Sequence, residues 1–232
     1  MSNPLPDDLP FDDWITHLFD HPESETPWYY AFDHAWWDAA RQPRRAVDYL
    51  TRLFSQPSSR LASFTNDQIG HGLWFLFEAD PAYTSAIVNL ENPVPMDDRL
   101  RCIASMVTFF SDLFAGRCAS YLGHLETSSS WSPEHNQLNM ACYMWWDMFG
   151  GYPLVQTPGS RRITEACLDV MEATLRIDSL PCRESALHGL GHWHSYAPER
   201  VERIIDGFLK NTPNISGELR RYALAARTGC VL

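Results

Sequence analysis

The feature that most constrains the fold is an amphipathic stretch near the C terminus, residues 198–209. Pro198 opens it, at a helix position where a missing N–H is harmless. The residues before it, 183–196, are rich in His, Gly and Trp and predict a second helix joined to the first by a short turn. A hairpin with one apolar stripe cannot bury itself, so it needs helical neighbours. Within residues 198–209 the apolar side chains fall at i, i+3, i+4, i+7 and i+8, which is the spacing of one helix face: Val201, Ile204, Ile205, Phe208 and Leu209.

Similar units recur upstream. The motif His188-Gly189-Leu190 is followed ten residues later by a proline, and His71-Gly72-Leu73 is followed by Pro81 at the same offset. Two further offsets of ten residues, each ending at a proline, begin at Asp33 and Tyr143. The four prolines are separated by 38, 72 and 45 residues, which predicts a repeating helix pair of about 36–45 residues. Repeats of this kind are typical of α-solenoids.

On these repeats the chain resembles HEAT-like helical-repeat proteins over residues 28–230. The resemblance implies an all-α fold, a short solenoid of about five antiparallel helix pairs, and partner binding in place of a reaction. An acidic N-terminal arm with a short helix is predicted for residues 1–27, before a single helical-repeat domain of residues 28–232. The alternative is an irregular helical bundle in which the proline spacing is coincidental.

No stretch alternates as a strand would, and the breaks fall at proline, glycine and serine clusters. Thr65 or Asn66, and Ser216, are predicted helix caps. Helices are predicted over residues 11–21, 28–41, 44–54, 66–78, 82–89, 97–125 (with Gly116 either ending or absorbed), 132–149, 161–177, 183–196, 198–209 and 219–227.

The charge is strongly acidic and uneven. The 232 residues carry a net charge of −11, and residues 1–40 hold nine carboxylates without a lysine or arginine. This balance argues against a nucleic-acid partner and against an anionic membrane surface. It favours a cationic partner, or simple solubility. The acidic start is accordingly either a solvated arm or a binding element.

The six cysteines are scattered without a C-x-x-C pair, and no secretory signal or long apolar run is evident. We expect reduced core cysteines in a cytoplasmic protein. A single lysine against seventeen arginines favours a GC-rich bacterial source.

A histidine group is the sharpest chemical feature. His188 and His192 are spaced i, i+4, so both imidazoles face one way on a helix, a spacing that suits zinc or nickel. A third ligand would have to come from another helix, for example His71, whereas His194 points elsewhere. The alternative is a histidine-rich inner face without metal. No cofactor is predicted, and the absence of phosphate-binding, nucleophile and metalloprotease motifs favours a protein that is not an enzyme.

Two pairs of adjacent tryptophans, Trp36-Trp37 and Trp145-Trp146, cannot share one helix face. We expect one member of each pair in the core and the other at a flank, although both could be buried. Gly189 within a helix costs about 1 kcal/mol relative to alanine. It is expected to permit close approach of a neighbouring helix or of a ligand.

The predicted function is protein binding, most simply that of an immunity or antitoxin-type protein that covers a toxin such as a basic nuclease. The alternatives are a metal-dependent enzyme centred on His188 and His192, and a general interaction scaffold. The oligomeric state is not predicted. The candidate partner-binding residues are acidic, aromatic or histidine side chains: Asp33, Trp36, Trp37, Asp38, Trp74, Trp145, Trp146, Asp147, His192, Trp193 and His194.

Overall fold

A computed structural model describes residues 5–23, 26–31, 35–125, 137–149 and 157–231. All regular secondary structure in these ranges is helical and none of it is strand, so the predicted all-α class is confirmed. None of the described helices is long and apolar enough to cross a lipid bilayer. The α-helices are α1 (Phe11–Phe19), α2 (Pro43–Ser55), α3 (Pro57–Arg60), α4 (Asn66–Trp74), α5 (Ala82–Val88), α6 (Met96–Phe109), α7 (Ala115–Arg117), α8 (Gln137–Tyr143), α9 (Trp145–Phe149), α10 (Pro158–Thr174), α11 (Leu180–Trp193), α12 (Pro198–Asn211) and α13 (Gly217–Ala226). Two π-helical turns, Phe75–Ala79 and Phe110–Phe114, continue α4 and α6, and two 3₁₀ turns cover Trp28–Tyr30 and Gly123–Leu125.

Several helix starts follow directly from local sequence. Thr65 caps α4 through a capping box, in which its side chain accepts from the backbone N–H of Gln68 and the Gln68 side chain accepts from that of Thr65. The Ser216 hydroxyl likewise accepts from the backbone of α13. Pro43 and Pro198 occupy the first turns of α2 and α12. The two caps predicted from the sequence, at Thr65 and Ser216, are confirmed.

The aromatic helix predicted over residues 28–41 is wrong in its described part. Only Trp28–Tyr30 forms a 3₁₀ turn, and residues 35–42 form no helix. The backbone of Leu5 instead donates to the carbonyl of Trp36, so the chain here is extended against the N-terminal segment. Asp33 lies outside the described residues. The described part of the repeat unit that begins there, from residue 35 onward, therefore does not form the predicted first helix.

Two other predicted helices differ from those observed. The one predicted over 132–149 is seen as α8 and α9 with Met144 between them, and its first residues lie outside the described ranges. The one predicted over 97–125 runs from α6 through the π turn into α7 and ends before Cys118, so Gly116 is absorbed. In the rest of this predicted range, residues 118–125, only the 3₁₀ turn Gly123–Leu125 is helical.

Helix packing follows two series of neighbours. In one, α1 packs on α4, α4 on α8, α8 on α11, and α11 on α13. In the other, α5 packs on α2, α2 on α6, and α6 on α10. Contacts of α10 with α11, of α11 with α12, and of α12 with α13 join the two series. This order brings α8, α9, α11 and α13 together around one polar cluster.

The acidic N-terminal segment is part of this packing. Trp14, Leu18 and Phe19 of α1 are fully buried, and the Trp14 indole N–H donates to the Tyr83 hydroxyl at 2.9 Å. Gly72 of α4 leaves the space that the Phe19 ring fills. The described residues on both sides of the boundary predicted at residue 27 thus contribute to one hydrophobic cluster.

Candidate functional site

A row of polar side chains lies along the buried helix α11. Glu184, His188 and His192 are spaced i, i+4 and i+8, which puts them on one side of the helix. Glu184 and His188 are almost completely buried, whereas His192 is partly exposed. Sequence reasoning singled out the two histidines and missed Glu184, although its spacing from His188 is the same four residues.

Asp147 of α9 meets both histidines. Its Oδ2 atom lies 2.7 Å from Nε2 of His188, and its Oδ1 atom lies 3.3 Å from Nε2 of His192. The two Nε2 atoms are 3.2 Å apart. Three side chains from two helices therefore direct ligand-type atoms at one point, all within 4.8 Å of one another.

The close approach of α9 to α11 depends on Gly189. A Cβ atom placed on Gly189 would lie 2.5 Å from Cδ1 and Cγ of the Trp146 ring. Trp146 is the residue before Asp147 in α9, and its side chain lies directly on the α11 backbone. Close helix packing, one of the two explanations that the sequence left open for this glycine, is confirmed.

On the other side of His188, Tyr222 of α13 closes the cluster. Its hydroxyl lies 2.7 Å from Nδ1 of His188 and 3.4 Å from the Tyr143 hydroxyl. Burial raises the pKa of Tyr222, and the neighbouring Tyr143 adds to the effect, so the phenol stays protonated. The Tyr143 ring also packs against His188, with 4.4 Å between the ring centroids. Both nitrogens of His188 therefore have partners.

A second acid–histidine pair lies beneath Tyr222. The Glu184 carboxylate accepts the backbone N–H of Gly123 at 2.7 Å and that of His124 at 3.0 Å. It also lies 2.5 Å from Nδ1 of His124, whose ring stacks on Tyr222 at 4.0 Å. The Glu184 carboxylate thereby connects the 3₁₀ turn Gly123–Leu125 to α11. The His124 ring packs on one face of the Tyr222 ring.

The electrostatics favour an uncharged His192. Burial lowers the pKa of His192 below its ordinary value of 6.5, and the neighbouring His188 acts in the same direction, while Asp147 opposes them. At neutral pH the His192 ring is therefore mainly uncharged, with one of its two nitrogens carrying a lone pair.

His71 does not belong to this cluster, contrary to the sequence-based expectation that it could supply the third ligand. It is buried in α4, where burial lowers its pKa. The neighbouring Gly70 packs on Gln137 and Gly72 packs on Phe19, whereas Gly189 packs on Trp146. The two HGL motifs thus share a sequence pattern but have different surroundings, and Asp147 takes the position expected for His71.

The predicted tryptophan anchors are mostly internal. Four of them are fully buried and offer no surface to a partner, so the prediction is corrected for Trp37, Trp145, Trp146 and Trp193. Both members of the Trp145-Trp146 pair are buried because α9 lies between aromatic side chains of α2 and α6 on one side and α11 on the other. The candidates with partial exposure are Trp36, Asp38, Trp74, Asp147, His192 and His194.

Sequence reasoning missed an aromatic surface beside α1. Tyr30 is the most exposed large hydrophobic side chain of the described residues, at 68%. It contacts the half-buried Tyr29, which packs on Trp28, and Trp28 stacks on His21 at the end of α1 with 4.0 Å between centroids. Glu78 lies close enough to Tyr29 to help raise its pKa to about 12, after the larger effects of burial and Tyr30. The Asp13, Asp20 and Glu23 side chains are exposed along the same segment.

We refer to Asp13, Asp20, Glu23, Tyr29, Tyr30 and Glu78 together as the N-terminal face. It combines exposed carboxylates with an exposed aromatic side chain on a helix and turn that are fixed to the core by the opposite side of α1.

Comparisons with known proteins do not assign either site, because no family model, curated protein or solved structure matches the chain.

Proposed function

We propose that this protein acts by binding a basic protein partner, as an immunity or antitoxin-type protein of the bacterial cytoplasm does. The observation that supports the proposal is the N-terminal face, where carboxylates and Tyr30 are exposed on a segment whose apolar side is buried. Because α1 is anchored by Trp14, Leu18 and Phe19, the acidic side chains are presented on an ordered surface. Pre-ordering of this kind lowers the entropic cost of association.

The residue types suit such a role. Tyrosine is among the residues that most often dominate binding energy, and it does so when surrounding polar groups exclude water from the contact. Carboxylates around it attract a cationic partner over several ångströms and raise the association rate, an effect that salt screens. A basic enzyme whose active site is covered by this face would be inhibited by direct occlusion.

The finer fold proposal is a HEAT-like α-solenoid. It draws support from the packing of α4, α8, α11 and α13 on one another in chain order, as consecutive repeats do. One departure is that α2 packs between α5 and α6. An experimental structure in which consecutive helix pairs superpose by one constant rotation would establish the solenoid.

The binding proposal is tested with two matched charge-reversal variants. Asp20→Lys/Glu23→Lys alters the N-terminal face at the end of α1, where added positive charge suits the helix dipole and preserves the fold. Glu91→Lys/Asp112→Lys makes the same change in charge at exposed positions on other segments. Each protein, and a Tyr30→Ala variant, is immobilised and exposed to extract of the source organism at low and high salt.

We expect the wild type and the Glu91/Asp112 variant to retain one dominant basic protein, whose activity they inhibit. Retention should fall in the Asp20/Glu23 and Tyr30 variants and at high salt. Retention that is indifferent to salt and to the N-terminal face, or no specific retention, would contradict the proposal.

A further inference from the structure

The cluster on α11 and α9 is independent of the N-terminal face and calls for its own explanation. The Asp147 carboxylate, His188 Nε2 and His192 Nε2 converge from two helices. Asp147 Oδ2 lies 2.7 Å from His188 Nε2, Asp147 Oδ1 lies 3.3 Å from His192 Nε2, and the two Nε2 atoms are 3.2 Å apart. Each imidazole nitrogen lies beside a different oxygen of the carboxylate, but the two nitrogens also face each other, so protons on both would be forced together. A single cation placed between the three groups would accept one lone pair from each of them.

Two of the three separations resemble those between the ligands of a small metal ion. Nitrogen and oxygen ligands at about 2.0–2.1 Å from zinc in a tetrahedron lie about 3.3 Å from one another. Two of the three observed separations are close to this value, and the third, between Asp147 and His188, is shorter. Two neutral imidazoles and one carboxylate suit first-row transition metals and not magnesium or calcium, which prefer oxygen ligands.

The surroundings of His188 supply the support that a metal-bound histidine needs. When Nε2 binds a metal, Nδ1 carries the proton and donates it to a fixed acceptor. Here the Tyr222 hydroxyl lies 2.7 Å from Nδ1 and is itself buried. His124 stacks on the Tyr222 ring and is held by Glu184, so the acceptor is fixed in turn.

The cluster is also open on one side. The His188 side chain is almost fully buried, but 23% of the Asp147 side chain and 33% of the His192 side chain are exposed. A metal ion could therefore reach the three groups from solvent, and three protein ligands would leave at least one coordination position for water or a small ligand. Catalytic zinc sites have this composition, whereas structural zinc sites have four protein ligands.

We propose that Asp147, His188 and His192 bind one divalent first-row transition-metal ion, with zinc expected and water completing the coordination. These three residues lie apart from the N-terminal face, so metal binding here does not depend on the binding of a partner there.

The test uses tag-free protein stripped with a chelator. Zinc binding is measured by calorimetry, stoichiometry by equilibrium dialysis, and coordination by the visible absorption of added Co²⁺. The ligand variants are His192→Ala, which removes a partly exposed side chain, and Asp147→Asn, which keeps the side-chain shape. The matched control is His194→Ala, because His194 follows α11 directly and contacts Glu202 and not Asp147. Far-ultraviolet circular dichroism of each metal-free protein verifies that the variants fold.

We expect one ion per chain, with affinity lowered at least about 100-fold in both ligand variants and changed less than about threefold in His194→Ala. Absence of saturable zinc or cobalt binding by the wild type would overturn the proposal. Equal affinity in wild type and ligand variants, or an equal loss in all three variants, would overturn it as well.

Discussion

The Asp147 carboxylate and the His188 imidazole, 41 residues apart in the chain, lie 2.7 Å from each other because Trp146 rests on Gly189. The contact between a ring and a bare helix backbone sets the distance between α9 and α11. It thereby positions the acid of one helix against the base of the other. Both the packing of α9 on α11 and the contact between Asp147 and His188 therefore depend on the absence of a side chain at Gly189.

Gly189→Ala is expected to disturb both. The added Cβ would lie 2.5 Å from Trp146, so the helices must separate or the ring must move. We expect a loss of about 1–3 kcal/mol in the free energy of unfolding and a weaker metal affinity, measured by urea denaturation and by zinc calorimetry. The control is Gly207→Ala in α12, where an added Cβ meets nothing within 4 Å. That variant should gain up to about 1 kcal/mol, and equal effects of the two substitutions would refute the explanation.

Tyr222→Phe should lower zinc affinity by about 10–100-fold while leaving all three metal ligands in place. The reason is that His188 Nδ1 loses the hydroxyl oxygen 2.7 Å away that fixes its proton. Nitrogen chemical shifts of the His188 ring, measured by NMR in metal-free protein, should report a change of tautomer. Tyr143→Phe is the control, because it keeps the ring that packs on His188 and removes a hydroxyl that lies 3.4 Å from that of Tyr222. An unchanged affinity in Tyr222→Phe, with metal binding intact in the wild type, would exclude this role for Tyr222 alone.

Stability should fall as the pH is lowered through the histidine range, in part because of His71. Burial lowers its pKa from the ordinary value of 6.5. The unfolded chain therefore binds protons in a range where the folded protein does not, and unfolding takes up protons. The contribution of His71 to stability is complete above pH 6.5 and is lost as the pH falls from there through the lower folded-state pKa.

This dependence is measured by urea denaturation of wild type and His71→Gln between about pH 8 and about pH 5. The free energy of unfolding of the variant should depend less steeply on pH in that interval. The pH dependence that remains includes the contribution of His192, whose pKa is also lowered by burial. A slope identical to that of the wild type would show that His71 does not contribute.

Glu184→Gln should destabilise the protein although it preserves volume. Oε2 of Glu184 accepts the backbone N–H of Gly123, and Oε1 accepts that of His124 and contacts its ring; glutamine keeps one acceptor oxygen and places a donor N–H₂ where the other stood. We expect a cost of about 1–3 kcal/mol in the free energy of unfolding, from chemical denaturation. Glu199→Gln, at an exposed position in the first turn of α12, should change stability by less than about 0.5 kcal/mol. Similar values for the two variants would mean that the buried carboxylate is not required.

Arg99→Met should be strongly destabilising, because the buried Arg99 guanidinium bonds four backbone carbonyls and, among the described residues, no carboxylate. The acceptors lie at the end of α5 and in the turn after it: Ala86, Ile87, Asn92 and Val94. The positive charge lies at the negative end of the α5 dipole. Methionine would remove this donor from all four carbonyls, and within the described ranges only that of Asn92 would keep another, the backbone N–H of Val94. We expect a loss of about 3 kcal/mol or more by denaturation. Arg101→Met breaks only an exposed pair with Asp98 and should cost less than about 1 kcal/mol; a comparable loss there would argue against a special role for Arg99.

Much of the helical structure was predictable because it is decided by neighbours in the chain. The stripe of Val201, Ile204 and Phe208 fixes which side of α12 is buried, and Thr65 and Ser216 mark helix starts by bonds to residues three positions on. The spacing of His188 and His192 likewise puts both imidazoles on one face whatever surrounds the helix. The helix predicted over 28–41 failed because an aromatic composition does not distinguish a helix from a segment whose rings pack on the core.

The sequence by itself determined an all-helical protein with an acidic start and a histidine face on α11. Only the tertiary structure decided that Asp147 and not His71 meets that face, that both Trp145 and Trp146 are buried, and that Tyr30 is exposed. The physical reason is the distance along the chain over which each kind of interaction acts. Helix periodicity and capping act over a few residues, whereas the choice of which helix packs on α11 depends on how side chains such as Trp146 and Gly189 fit together across the core.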